Sequence, residues 1–202
     1  MTADLDAWHP WHPREVAARL AGVDAPWYVA AGWAVELHLT EFGVTDPARP
    51  HEDLEIAVPA PRFGQIAERF GDCDFYTVGN GEALPWPERS AEFHQTWAWD
   101  RAARVWRFDV FREPSEAGLW VCRRDPSIRM PYAELILRTG DGIPYLRPEV
   151  ALLFKAKATR TKDEADFAAV LPVLTAVQRS WLAGALDTVH PGHPWRAALS
   201  RR

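Results

Sequence analysis

The stretch His51-Glu52-Asp53-Leu54-Glu55-Ile56-Ala57-Val58-Pro59 decides how the chain is read. Leu54, Ile56 and Val58 alternate with Asp53, Glu55 and Ala57, the period-two pattern of a half-buried strand, which Pro59 and Pro61 end. Side chains two apart on a strand leave the same face, with Cα atoms about 6–7 Å apart. Asp53 and Glu55 are therefore expected side by side, with Leu54 and Ile56 entering the core. Two such acids repel unless a cation or a proton lies between them.

A second run, Trp106-Arg107-Phe108-Asp109-Val110-Phe111, places one carboxylate in an otherwise apolar strand, where an unpaired charge is costly. If the two strands are neighbours, Asp53, Glu55 and Asp109 converge. Three hard oxygen donors suit Mg²⁺, which completes its octahedron with water and phosphate oxygens. The competing reading is structural: Asp53 opens a strand, Glu55 faces solvent, and Asp109 pairs with an arginine such as Arg107.

Upstream, Trp27 to Ala31 is a short apolar run expected to be a buried strand, and Gly32 opens a helix that stops near Gly43. Trp33, Leu37 and Ala34 are expected on its inner face. A strand followed by small residues and a helix presents free backbone N–H groups to an anion. A first helix follows Pro13 and ends at Gly22, and a helix from about 62 to 70 follows the acidic strand. Strands are expected over 74–78, 93–99, 104–111 and 119–122, within 129–138, and at 144–146. From Pro148 onward the pattern turns helical, in three or four segments. The fold class is α+β, a mixed sheet flanked by helices with a C-terminal helical region, divided at 1–146 and 147–202.

This arrangement resembles the polymerase-β-type nucleotidyltransferase superfamily: a small-residue turn, a D-x-D or D-x-E strand, then a third acid on another strand. Gly32-Trp33-Ala34 and Arg49-x-His51-x-Asp53 look most like the aminoglycoside and lincosamide nucleotidyltransferases. The likeness covers roughly residues 27–112, and more weakly Pro148-Glu149-Val150 and the segment from Lys162 to Phe167. The resemblance implies a nucleotidyltransferase fold and transfer of a nucleoside monophosphate from ATP or GTP to a hydroxyl of a small, aminoglycoside-like molecule. It implies two Mg²⁺ ions held by Asp53, Glu55 and Asp109, the same residues being catalytic. It places the nucleotide at Ala31, Gly32, Trp33 and Arg49, with Lys157 reaching from the C-terminal region. His51, in the loop before Asp53, is a weaker candidate for substrate contact. The sequence departs from the pattern at Ala31, where the resembled families carry glycine. A carboxylate accepting the acceptor's proton is not placed; Glu134 and Glu113 are candidates. A non-catalytic nucleotide-binding or regulatory module of this fold is the alternative reading, and a toxin–antitoxin-type nucleotidyltransferase is a third.

On the helix expected after Pro148, Val150, Leu153, Phe154 and Lys157 fall on one stripe, while Lys155 points away from it. Asp163 and Asp166 are read as ordinary helix pairing. The remaining composition narrows the function classes. The chain has 202 residues and a formal net charge of -5, which argues against a diffuse grip on nucleic acid. No stretch reaches the roughly 18 apolar residues a membrane helix needs, and the first residues lack the pattern of a signal peptide. Cys73 and Cys122 stand alone and are expected to be buried thiols, so a cytoplasmic protein is expected. The eleven tryptophans are expected to fill a bulky core.

Overall fold

The computed structural model describes residues 4–44 and 50–200. The first helix, α1 (Pro13–Arg19), begins at proline, and its entry is closed by a reciprocal cap. His12 Nδ1 accepts from the Arg14 N–H at 3.2 Å, and Glu15 accepts from the His12 N–H at 2.8 Å. Strand β1 (Tyr28–Val29) turns directly into α2 (Ala31–Glu41), and β2 (Glu55–Pro59) follows. After a 3₁₀ turn and α3 (Phe63–Ala67) come β3 (Cys73–Gly79), β4 (Glu82–Pro85), β5 (Gln95–Asp100) and β6 (Val105–Glu113). Then come β7 (Ser115–Glu116), β8 (Leu119–Val121), β9 (Arg129–Pro131), α4 (Tyr132–Leu135), β10 (Ile136–Arg138) and β11 (Pro144–Leu146). The chain closes with α5 (Pro148–Lys155), α6 (Thr161–Val170), α7 (Ala176–Val189) and α8 (Trp195–Leu199).

The main sheet runs β10-β11-β1-β2-β6-β5-β3-β4, and a smaller one runs β7-β8-β9. β2 lies parallel to β6, and β1 parallel to β11; the other pairs are antiparallel, so the sheet is mixed as expected. The parallel β2–β6 pair matters most here, because its register sets Glu55 opposite Asp109. Helices flank this sheet, with α2 packed against α5 and α6, and α5 packed against α7. The expected division near 146 falls in the short connection between β11 and α5.

Trp106, fully buried, is ringed by Trp97, Trp99 and Tyr76 at centroid distances of 4.8–5.4 Å, so tryptophan does fill core volume. Cys73 and Cys122 are buried free thiols. Among the described residues no helix is long and apolar enough to cross a membrane.

The strands expected within 129–138 are present as β9 and β10, with α4 between them. Two local expectations are corrected. On α2 the buried residues are Gly32, Ala34, Val35 and His38, while Trp33 and Leu37 are only partly covered. The helix turns Gly32, Ala34, Val35 and His38 to its neighbours and leaves Trp33 and Leu37 at its edge. Lys155 and Lys157 also exchange the places assigned to them: Lys155 is buried against acids and Lys157 is exposed. Helix α5 ends at Lys155, so the helical spacing that put Lys157 on the apolar stripe no longer applies there.

Candidate active site

Asp53 lies just before β2, half-buried, and Glu55 is its first residue. Asp109, at mid-strand in β6, is 3% exposed and stands abreast of Glu55. Residues paired across adjacent strands project to the same face, so these two carboxylates share one side of the sheet. The alternative pairing with Arg107 is not made; that guanidinium binds Asp100 at 2.9 Å. Instead Gln95 Nε2 donates to Asp109 Oδ2 at 2.7 Å. Asp109 Oδ1 is buried with no hydrogen-bond partner among the described residues.

Burial pushes the Glu55 carboxyl up to about 8, and the charges of Asp53 and Asp109 push the same way against Lys155 and Lys162. Burial likewise raises Asp109 to about 7, opposed by the bond from Gln95 and by the nearby Thr96 and Trp97 N–H groups. Carboxylates pressed together in this way favour a positive charge between them. The partnerless Asp109 oxygen and the all-oxygen donors fit a hard divalent cation such as Mg²⁺. Among the described residues no group of three acid, histidine or cysteine side chains is placed so that it could hold a metal ion together, so the fit rests on the Glu55–Asp109 pair and that oxygen.

The β1–α2 turn borders the same site. Ala30 N–H donates to the Glu55 carbonyl at 2.8 Å, fastening the turn to β2. Ala31 then adopts the left-handed conformation, φ 48°, which costs an alanine energy and a glycine none. No side chain caps the α2 N-terminus, and its first turn carries no acid. Its leading N–H groups are free to meet an anion. A cleft of about 340 Å³ opens between Ala31 and Gly32, the acids Asp53 and Glu55, and the cations Lys155 and Lys162.

The helical side of the cleft is held by a buried ion network that sequence reading dismissed as routine pairing. Lys155 Nζ lies 2.8 Å from Asp166 and 3.2 Å from Asp163, and Arg160 Nε donates to Asp163 at 2.8 Å. Although burial works against it, these cations and the Arg160 N–H draw Asp163 down to about 2. Arg160, Lys162 and Gln95 were not singled out from sequence. Arg160 and Lys162 were detectable as cations beside the helix start; nothing in the sequence pointed to Gln95.

His51 stacks on Trp33 at 4.2 Å and meets Glu36 of α2 at 2.6 Å, which anchors the segment leading to Asp53. It also borders the cleft. Arg49 lies outside the described residues. Glu134 is exposed on α4, and no contact ties it to the acids. Glu113 is buried at the far end of β6, accepting from the Tyr28 hydroxyl and from Trp120 Nε1 at 2.7 Å.

A mixed sheet flanked by helices, with the β1–α2 strand–turn–helix next to the D-x-E strand, is the nucleotidyltransferase fold. Two solved structures of one enzyme of that fold are similar to this chain. The solution structure of the antibiotic-resistance factor ANT(2'')-Ia has a TM-score of 0.54 and 14% identity, covering 87% of this chain and 89% of its own. The crystal structure of ANT(2'')-Ia in complex with adenylyl-2''-tobramycin has a TM-score of 0.53 and 13% identity, covering 87% and 94%. At this identity the likeness is one of fold. No protein-family profile and no curated protein sequence matches the chain.

Proposed function

We propose that the protein transfers a nucleoside monophosphate from a nucleoside triphosphate, ATP or GTP, to a hydroxyl of a small molecule. The acceptor oxygen attacks the α-phosphorus, the bond to the β-phosphate oxygen breaks, pyrophosphate leaves, and the hydroxyl proton is released to water. The observation that carries this reading is Asp109 abreast of Glu55 with one buried oxygen left unpartnered. Asp53, Glu55 and Asp109 would hold magnesium, which when bound neutralises phosphate charge and makes the attacking hydroxyl more acidic.

The chain's own groups do the positioning. Backbone N–H groups of Gly32 and Trp33 at the α2 N-terminus receive phosphate, with the Ala31 turn held in place by the Ala30–Glu55 bond. Lys162 and Arg160 face the same cleft and add cationic contacts. His51, braced by Trp33 and Glu36, keeps the wall of the cleft rigid. Acceleration comes from orientation and charge neutralisation, with no covalent intermediate.

A nucleotide-by-metal thermal-shift matrix followed by a pyrophosphate-release assay tests the reading. Magnesium with an NTP is expected to raise the melting temperature more than either alone, because ligands that bind only the folded state stabilise it. A protein that binds no nucleotide under any metal condition ends this reading. The alternative, a non-catalytic nucleotide-binding module, draws on the strained Ala31 turn. Tight nucleotide binding without pyrophosphate release from any acceptor would select it.

A further inference from the structure

A second pocket, of about 350 Å³, opens on the β5–β6 side of the Ala31 turn and shares Ala31, Lys155 and Arg160 with the first. Gln95, the partner of Asp109, lines it. It is therefore contiguous with the third acid, where an attacking hydroxyl would enter. Its charge is unusual for a protein of net charge -5: Arg123, Arg124 and Lys157 join Lys155 and Arg160 in the lining, against only Glu113 and Asp163.

Lys155 and Arg160 are neutralised by Asp163 and Asp166. Arg123, Arg124 and Lys157 have no carboxylate within ion-pair distance among the described residues. Arg124 is held by neutral groups, donating to the carbonyls of Leu153 at 2.9 Å and Phe154 at 2.7 Å. Arg123 contacts His94, and its Nε is buried without a hydrogen-bond partner. Even a fully ionised Glu113 offsets one of these three cations. The apolar walls are Phe111 and Phe154, with the Arg123 guanidinium 5.6 and 5.3 Å from the two rings.

We infer that this pocket receives the acceptor, and that the acceptor is a hydroxylated molecule with an acidic group, carboxylate or phosphate, beside an apolar ring. This inference rests on the transferase reading for the acceptor's role, but the binding it requires is independent of nucleotide. Arginine forks recognise carboxylate and phosphate in two-pronged fashion, and the two phenylalanines accept a ring. A polyamine such as an aminoglycoside would instead meet uncompensated like charge, which opposes binding.

The test is calorimetric titration of the full chain with phenyl glucoside, phenyl glucuronide, phenyl glucoside 6-phosphate and tobramycin, and separately with magnesium-ATP. An acidic ligand is expected to bind at least about tenfold more tightly than the neutral glucoside, a difference of about 1.4 kcal/mol. The glucuronide and the phosphate arms decide which acid is preferred. Lys157, which the family resemblance gives to the nucleotide, lines this pocket and not the Asp53 cleft. Lys157→Glu, at an exposed position past the end of α5, is therefore expected to weaken the acidic ligand about tenfold while magnesium-ATP affinity stays within about twofold. Arg123→Gln is expected to act in the same direction. Tobramycin binding more tightly than both acidic ligands, or acidic ligands no tighter than the glucoside, overturns the inference. So does Lys157→Glu weakening magnesium-ATP instead, which would give the pocket to nucleotide phosphates. Acidic ligands binding where magnesium-ATP does not would leave the anion pocket standing and remove the transferase reading.

Discussion

Asp163 and Asp109 are buried to a similar degree, 1% and 3% exposed, the first on helix α6 and the second on strand β6. Asp163 is matched on both oxygens, by Lys155, by Arg160 and by the backbone at the start of α6. Asp109 has a neutral amide on one oxygen and nothing on the other, with Glu55 beside it. Burial raises the pKa of Asp109, whereas cations overcome burial at Asp163. Both clusters read in sequence as acids near cations or apolar residues. The difference between scaffold and site lies in whether the fold has already supplied the opposite charge.

Asp109→Asn tests that contrast most severely. Pyrophosphate release is expected to fall about 10⁴-fold, a barrier increase of about 5.5 kcal/mol, with nucleotide affinity largely kept because Asp53 and Glu55 remain. Asp53→Asn is expected to impair both. The same Asp109→Asn protein is expected to be more stable by about 1 kcal/mol in denaturant, since the neutral amide removes a buried charge beside Glu55. A destabilised Asp109→Asn variant would mean that the acid is structural.

Asp163→Ala is expected to do the opposite, losing about 3 kcal/mol by leaving the buried Lys155 ammonium with Asp166 alone and by removing the carboxylate that caps the start of α6. The check is a urea midpoint compared with wild type. An unchanged midpoint would show that the helical side of the cleft does not depend on this network.

How far the sequence foretold these two clusters depends on the range of the signal. The period-two run at Asp53–Val58 and the isolated Asp109 are local patterns, so the acidic strands could be read, and the parallel register confirmed their adjacency. The α2 inner face and the Lys155–Lys157 exchange were misread because each depends on where a helix ends or which neighbours it meets. Helix α5 is covered on nearly every side, so its spacing carries little directional information. Gln95, Arg123 and Arg124 come to the cleft from β5 and from the connection between β8 and β9, through long-range packing that no local period encodes.

Titration offers a gentler probe, with one histidine on each side of the comparison. His38 on α2 and His94 before β5 are both lowered to about 4, His38 by burial, and His94 by burial and then by Arg123 and Arg112. Their folded pKa lies below the unfolded value of about 6.5, so the unfolded chain binds more protons between those limits. Their contribution to stability is full above about pH 6.5 and is lost as pH falls through about 4. Over this window the two histidines are expected to lower the urea midpoint while Glu55 and Asp109, with raised folded pKa values, act in the opposite direction. His38→Gln and His94→Gln should each remove part of the loss relative to wild type. A slope unchanged in both variants would assign the acid sensitivity elsewhere.

The smallest effect is expected at Ala31, where the two sides of the cleft meet. Its φ of 48° places a methyl group in the left-handed region, at a cost of roughly 1–2 kcal/mol for an L-residue. Glycine removes that cost but gives the unfolded chain more freedom, worth about 0.4–1 kcal/mol. Ala31→Gly should therefore stabilise the protein by only about 0.8 kcal/mol, the difference between those terms. The functional consequence is separate. Ala31 lines both pockets, so losing the methyl should let phosphate approach the α2 N-terminus more closely and tighten magnesium-NTP binding. A more stable variant with equal or weaker nucleotide affinity would show that the strain belongs to the turn alone and that the methyl is accommodated at the phosphate. Tighter nucleotide binding together with unchanged affinity for the acidic ligands would instead place the crowding on the Asp53 side of the turn.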